Sequence, residues 1–140
     1  MKNAAKIEYL SQVPLFSGFS KKDLGEVARH VDTVDVPVGT RLTEEGKLAH
    51  QFGIIVEGGA SVRRNNRKLA DLGPGDFWGE MALLLKATSS ATVETTDESS
   101  ILVIHSQEFS HLLDRVPAIA KKLATGLAAR LLDADRKLTI

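Results

Sequence analysis

The segment over residues 71–85, DLGPGDFWGEMALLL, has the residue types and spacing of a site for an anionic group. Gly73 and Gly75 permit a tight turn, and Gly79 precedes an apolar run that indicates a short helix beginning at Glu80. The first backbone N–H groups of a helix have no partner within that helix, so they can donate to a phosphate oxygen. The segment therefore predicts a site for a phosphate ester.

Glu80 has two interpretations. An acid in the first turn of a helix interacts favourably with the positive end of the helix dipole, so Glu80 could be an ordinary helix-start residue. Alternatively, its carboxylate accepts a hydrogen bond from a sugar hydroxyl while the N–H groups of Gly79, Met81 and Ala82 face the phosphate. The spacing alone leaves both interpretations open.

Other residues that could do chemistry are not arranged for it. The histidines include no closely spaced pair of the kind that holds a metal ion; they are His30, His50, His105 and His111. The serines lie in predicted turns and caps, which does not favour a Ser–His–Asp hydrolase. The absence of cysteine excludes disulfides and thiolate chemistry. We therefore expect a binding protein that is not an enzyme and holds no metal or cofactor.

Composition argues against several classes of partner. The 18 basic and 18 acidic side chains cancel, so no global field attracts the chain to nucleic acid or to an anionic membrane. No apolar run approaches the roughly 20 residues of a spanning helix, and the N-terminus lacks a signal-peptide core. These features predict a cytoplasmic protein. The basic segment over residues 63–68 is interpreted as a solvated hairpin or, alternatively, as a partner surface.

The periodicity of the apolar residues predicts the elements around this segment. Helices are expected over residues 4–13 and 20–31, and the second begins with Ser20 and Asp23 at the spacing of a capping box. From Thr33 the period changes to two, which is typical of half-buried strands. Further strands are expected over residues 40–43, 50–56, 60–64, 68–72, 90–94 and 100–105. Short strands with close turns, bracketed by helices, predict an antiparallel sandwich or jelly roll.

Helical periodicity returns at Ser106 and continues after Pro117. The last helix carries a broad apolar stripe composed of Val116, Ala120, Leu123, Leu127, Leu131, Ala134 and Leu138. Such a stripe packs on the barrel or pairs with another helix, so a homodimer through this helix is one expectation. At 140 residues, the chain fits a single domain.

These features together resemble the cyclic nucleotide-binding domain family, which includes catabolite-activator-type regulators, kinase regulatory subunits and cyclic-nucleotide-gated channels. The matching motifs are residues 72–84 (LGPGDFWGEMALL) and 90–93 (SATV). Supporting motifs are VPLF at 13–16, Gly39, Glu45-Gly46 and IIVEG at 54–58. The resemblance covers residues 13–132 in the family's order.

The resemblance implies an α+β, mainly β fold: an antiparallel double-stranded β-helix or jelly-roll barrel flanked by N-terminal and C-terminal helices. The single domain over residues 1–140 would then divide into N-terminal helices (1–31), a β-roll (33–105) and hinge and lid helices (106–140). The family's phosphate-binding cassette corresponds to residues 77–93, which we call the cassette.

The resemblance also implies a site in the cassette for cAMP or cGMP. Glu80 corresponds to the acid that accepts from the ribose 2′-OH, and the backbone donors correspond to Gly79, Met81 and Ala82. Ser89, Ser90 and Ala91 complete the implied site. A serine at position 90 does not decide between the two bases.

One residue departs from the family's pattern. The family usually has Pro-Arg after the short helix, with the arginine bound to the cyclic phosphate, whereas this chain has Thr88-Ser89. Hydrogen bonds to charged groups contribute about 1.5–3 kcal/mol, so the loss of arginine is expected to weaken the ligand by about ten- to a hundredfold.

The implied function is that of a regulatory sensor. In the family's mechanism the ligand draws in the cassette, whose apolar residues press on a hinge before a lid helix moves. The corresponding residues are Leu83 and Leu84 in the cassette, Phe109, Leu112 and Leu113 at the hinge, and Leu123 or Leu127 on the lid. The alternative is a degenerate fold that serves as a structural or protein-interaction domain without nucleotide. Neither the sensor function nor the alternative identifies an effector. The chain is expected to be either a stand-alone module or a piece of a larger protein.

Overall fold

The structure, a computed structural model, describes residues 2–138, without the side chains of residues 127, 130 and 133–138. It contains two compact units. The first comprises residues 30–110, and the second comprises residues 2–29 together with residues 111–138.

The first unit is built from two antiparallel sheets of four strands each. The strands are β1 (Asp32–Val36), β2 (Arg41–Thr43), β3 (Gln51–Glu57), β4 (Ala60–Arg64), β5 (Arg67–Leu72), β6 (Phe77–Trp78), β7 (Thr92–Thr95) and β8 (Ser99–His105). The strand order is β1-β8-β3-β6 in one sheet and β2-β7-β4-β5 in the other. A short helix, α3 (Glu80–Leu85), lies between β6 and β7 in the chain.

The core of this unit lies between the two sheets. One buried cluster contains residues from five strands, namely Ile55, Ala60, Trp78, Val93, Ile101 and Val103. Because β3, β6 and β8 belong to one sheet and β4 and β7 to the other, the cluster joins both inner faces. The expected jelly-roll-like fold with accompanying helices is confirmed.

Two local features differ from what the sequence indicated. The strand β6 was not expected, because two residues are too few to show a period; it exists through pairing of Trp78 with Gly53 and of Phe77 with Ile54. In β1, Val34 is exposed, although the alternation predicted a half-buried strand. This strand is at the edge of its sheet and pairs only with β8, so fewer neighbours cover it.

The second unit contains α1 (Asn3–Gln12), a 3-10 turn (Pro14–Phe16), α2 (Lys21–Arg29) and α5 (Pro117–Leu138), while α4 (Ser106–Arg115) spans the boundary between the units. The N–H of Asp23 donates to the hydroxyl of Ser20 at 3.1 Å, which confirms the predicted cap of α2. That helix ends at Arg29, two residues earlier than expected. The helix α1 packs against α2, and α5 packs against the 3-10 turn.

The buried face of α5 differs from the predicted stripe. Val116, Ile119 and Leu123 are buried, at successive spacings of three and four residues, whereas Ala120 is exposed and Leu131 is 72% exposed. The predicted stripe was therefore wrong at Ala120 and Leu131, because Ile119 takes the inward position in that turn. The predicted positions Leu127, Ala134 and Leu138 lie outside the described side chains. The homodimer through this helix stays a prediction, and no described helix is long and apolar enough to cross a membrane.

Candidate ligand-binding site

Gly79 joins β6 to α3 in a conformation that only glycine adopts easily. Its φ is +92°, and a Cβ at this position would lie 2.5 Å from the carbonyl oxygen of Gln51. The backbone of the cassette therefore packs directly against β3, and any side chain at position 79 would push it away. The helix begins at Glu80, as the sequence predicted.

Trp78 anchors the start of the cassette. Its indole is buried and lies against Gly53, where a Cβ would come within 2.0 Å of the ring. The indole N–H makes no hydrogen bond with the described residues. Its place in the core cluster gives Trp78 the role of an apolar anchor.

The side chain of Glu80 is buried, with a relative exposure of 4% for the residue. A first-turn acid that only interacts with the helix dipole would be solvated, whereas glutamate is rarely buried unless its oxygens are paired. The burial therefore favours a specific partner for the carboxylate, from the protein or from a ligand hydroxyl. Met81 is exposed and Ala82 is partly buried in the same turn.

The first hydrogen bond of α3 runs from the N–H of Leu83 to the carbonyl oxygen of Gly79 at 3.2 Å. The N–H groups of residues 80–82 precede it and are not used by the helical ladder. The helix ends at Leu85, and the capping residue Lys86 has a φ of +52° and donates its N–H to the carbonyl oxygen of Ala82. The N–H groups of Met81 and Ala82 thus lie at the end of α3 that the resemblance assigns to the phosphate.

Both the side chain and the backbone of Ser89 form hydrogen bonds within the protein. Its hydroxyl lies 2.5 Å from that of Thr43. Its backbone N–H donates to the carbonyl oxygen of Lys47, and its carbonyl oxygen accepts from the N–H of Gly46. The residue is only 6% exposed. The hydroxyl at the family's arginine position is therefore engaged by β2.

Ser90 and Ala91 complete the predicted set. Ser90 is exposed, and its carbonyl oxygen accepts a hydrogen bond from Arg64 Nε at 2.8 Å. Ala91 is buried immediately before β7. The predicted residues thus lie at the two ends of one continuous segment, and their contact with a ligand stays a prediction.

Sequence reasoning missed the contacts between the basic hairpin and the cassette region. Besides the bond from Arg64 to Ser90, the N–H of Asn65 donates to the carboxylate of Glu45 at 3.1 Å. The hairpin turn itself has Asn65 and Asn66 at positive φ, as in a tight two-residue turn. Only the Asn-Asn turn left a signal in the sequence, because the contacts join residues 20 and 26 positions apart.

Two other cations near the cassette are already paired. The ammonium of Lys47 lies 2.8 Å from the carboxylate of Glu44, and it lowers the pKa of that carboxyl below its usual value. Arg41 contacts the carboxylates of Glu44 and Glu94. A separate cavity of about 500 Å³ is lined partly by the carboxylates of Asp35, Glu57 and Glu98, which disfavour an anionic ligand there.

The predicted hinge is connected to the cassette by aromatic rings. Phe109 of α4 stacks on Phe52 of β3 with a centroid distance of 5.2 Å, and Phe52 contacts Phe77, the first cassette residue, at 5.6 Å. Leu84, which the family's mechanism places against the hinge, is 40% exposed. The predicted lid residue Leu123 is buried, and the side chain of Leu127 lies outside the described part.

The comparisons with known proteins agree on one family. The sequence profile of the family described as "Cyclic nucleotide-binding domain" matches residues 33–116. The chain is 35% identical over 114 residues to a cyclic nucleotide-gated potassium channel of Mesorhizobium japonicum. That match covers 81% of this chain and 32% of the channel.

Solved structures share the fold. The Thermus thermophilus catabolite activator protein aligns with a TM-score of 0.82 at 29% identity, covering 89% of this chain and 61% of that one. The regulatory subunit of a cAMP-independent protein kinase A from Trypanosoma brucei aligns with a TM-score of 0.78 at 21% identity, covering 88% and 46%. At the latter identity the likeness concerns the fold alone. The chain spans about a third of the channel and about three fifths of the Thermus protein.

Proposed function

Because the chain belongs to the cyclic nucleotide-binding domain family, we propose that it is a regulatory sensor module whose cassette binds cAMP or cGMP. The observation that carries this proposal is the buried carboxylate of Glu80, at the motif position that the family uses for the ribose. Gly79 supports it, because its positive φ and its close approach to Gln51 fix where the helix begins.

In the proposed complex, Glu80 accepts a hydrogen bond from the ribose 2′-OH. The N–H groups of Gly79, Met81 and Ala82 donate to the phosphate, which receives further contacts from Ser90 and Ala91. Ser89 contributes little, because its hydroxyl is already bonded to Thr43. Because position 89 has no guanidinium, these contacts alone predict weaker binding than a site with a charged guanidinium fork.

Calorimetric titration of the full chain with cAMP and cGMP tests the proposal. 5′-AMP is the matched control, because it keeps the base and the ribose but has an open, more highly charged phosphate. Trp78 adjoins Gly79 and is the single tryptophan, so its fluorescence supplies an independent signal. A saturable response to a cyclic nucleotide and a weaker one to 5′-AMP is expected. No saturable response up to millimolar cyclic nucleotide would exclude the sensor function.

A second candidate is an interaction or structural domain that keeps the fold without nucleotide. The observation in its favour is Ser89, which is buried and bonded within the protein at the position of the missing arginine. The Trypanosoma regulatory subunit, which belongs to a protein kinase A described as cAMP-independent, has a similar fold, so the fold alone does not decide the ligand. The same titration discriminates the two candidates.

A further inference from the structure

We propose that Arg64, the last residue of β4, is the cation that binds the cyclic phosphate in this chain, in place of the arginine absent at position 89. The inference rests on the proposed function, because it concerns how the same cassette holds its ligand. It assigns a ligand-binding role to a residue of the basic hairpin, which the sequence alone presented as a solvated hairpin or a partner surface.

The first argument is the contact between Arg64 and the cassette. Arg64 Nε donates to the carbonyl oxygen of Ser90 at 2.8 Å, and Ser90 directly follows Ser89. The guanidinium is therefore bonded to the residue that directly follows position 89, where the family has its arginine. A cation can reach this place from β4 although the cassette itself supplies none.

The second argument is the face of β4 on which Arg64 lies. Along β4 and β7 the pairs are regular, with Ala60 opposite Thr95 and Val62 opposite Val93. Ala60 and Val62 belong to or pack against the core between the sheets. Because side chains alternate along a strand, Arg64 projects on the same side of β4 as these residues, exposed at the end of the strand, and continuing the register places it opposite Ala91. The bulge in this hairpin leaves β4 regular, because the extra residue, Leu69, belongs to β5.

The third argument is that the charge of Arg64 is available. A guanidinium has five N–H donors, and the bond to Ser90 uses the one on Nε. Within the described part of the chain, Arg64 forms no ion pair, in contrast to Arg41 and Lys47, which are bonded to carboxylates. The four Nη hydrogens are thus left to bind two oxygens of one phosphate in the bidentate manner typical of arginine.

The backbone turn that follows Arg64 is held in place before a ligand binds. This turn has Asn65 and Asn66 in the left-handed region, and the N–H of Asn65 is held by Glu45. A cation whose backbone is held in place loses less conformational freedom on binding than a free lysine such as Lys86 would.

Calorimetry with cAMP and cGMP on charge-removing variants tests this assignment. Arg64→Gln can still donate to Ser90 but has no charge, and Arg64→Ala removes both. Arg63→Ala is the matched control, because it removes the same charge from the neighbouring position on the opposite face of β4. We expect an affinity loss of about tenfold or more in both Arg64 variants, and little change in Arg63→Ala, at physiological salt. Binding by Arg64→Lys is expected to fall between the wild type and Arg64→Gln.

The outcomes separate this inference from the proposed function. If the wild type binds and the Arg64 variants bind equally well, Arg64 is not the phosphate ligand, whereas the sensor function stands. If the wild type does not bind cyclic nucleotide, both proposals are wrong. Equal losses in the Arg63 and Arg64 variants would mean that only the general charge of the hairpin matters, which also overturns the assignment. Restored affinity in Arg64→Ala combined with Ser89→Arg would show that one arginine substitutes for the other.

Discussion

The hydroxyl groups of Ser89 and Thr43 lie 2.5 Å apart and form a partly buried hydrogen bond between the cassette and β2. The backbone of Ser89 is bonded to the turn that follows β2, because its N–H donates to the carbonyl oxygen of Lys47 and its own carbonyl oxygen accepts from the N–H of Gly46. The residue at the family's arginine position thus anchors the cassette to the neighbouring strand. Replacement of Ser89 by arginine should therefore lower the stability of the protein and raise its affinity for the ligand.

Ser89→Arg is expected to raise affinity for a cyclic nucleotide by about ten- to a hundredfold, because it adds a charge-assisted contact to the phosphate. The variant also loses the hydrogen bond to Thr43, which leaves that hydroxyl without its partner. We expect its free energy of unfolding to fall by about 1–3 kcal/mol. Calorimetry and urea denaturation measure the two effects.

Thr43→Val is the control for this variant, because it breaks the same hydrogen bond without adding a cation. It should lose a similar amount of stability and gain no affinity. An affinity gain in Thr43→Val would mean that release of Ser89, and not the arginine, improves binding. Unchanged affinity in Ser89→Arg would mean that the pocket has been lost elsewhere.

Glu80→Gln tests the proposed ribose contact. A neutral amide is a weaker acceptor than a carboxylate, so we expect cAMP to bind about tenfold more weakly. The loss should be much smaller for 2′-deoxy cyclic AMP, which lacks the hydroxyl in question. Equal losses for the two ligands, measured by calorimetry, would show that Glu80 acts on the protein and not on the ribose.

Much of this site could be predicted from local sequence. The positive φ of Gly79 and the helix start at Glu80 follow from residue types within a few positions, because backbone freedom and unpaired helix N–H groups are local properties. The partners of Ser89 and Ser90 could not be predicted. They come from β2 and β4, at separations of 46 and 26 residues, and such contacts depend on strand register.

The same distinction applies to the fold. The capped start of α2 at Ser20 and most strands could be predicted from the sequence, because a cap and an alternating pattern both depend on residues only a few positions apart. The strand β6 was not, because its two residues form a strand only through pairing with Gly53 and Ile54. Burial along α5 was also misjudged, since a helical stripe with apolar residues at 116, 119, 120 and 123 does not show which of them face inward.

Gly53→Ala should destabilise the protein strongly, because the added Cβ would lie 2.0 Å from the buried ring of Trp78. Overpacking of this kind costs about 1–3 kcal/mol, and we expect the upper end of that range. Gly73→Ala is the matched control, since a Cβ there meets no atom within 4 Å. Its free energy of unfolding should stay within about 1 kcal/mol of the wild type. Urea denaturation followed by Trp78 emission measures both, and equal stability of the two variants would contradict the tight contact.

The row of rings formed by Phe77, Phe52 and Phe109 predicts an energetic connection between the cassette and α4. Aromatic pairs contribute about 0.5–1.5 kcal/mol beyond the area they bury, so Phe52→Leu and Phe109→Leu should be non-additive by that amount. Phe77→Leu with Phe109→Leu is the control pair, because each of these two rings contacts Phe52. Its coupling should be smaller, within about 0.5 kcal/mol. Urea denaturation of the variants in each double-mutant cycle measures these coupling energies. Additive losses for Phe52→Leu and Phe109→Leu would contradict an energetic connection between the cassette and α4 through Phe52.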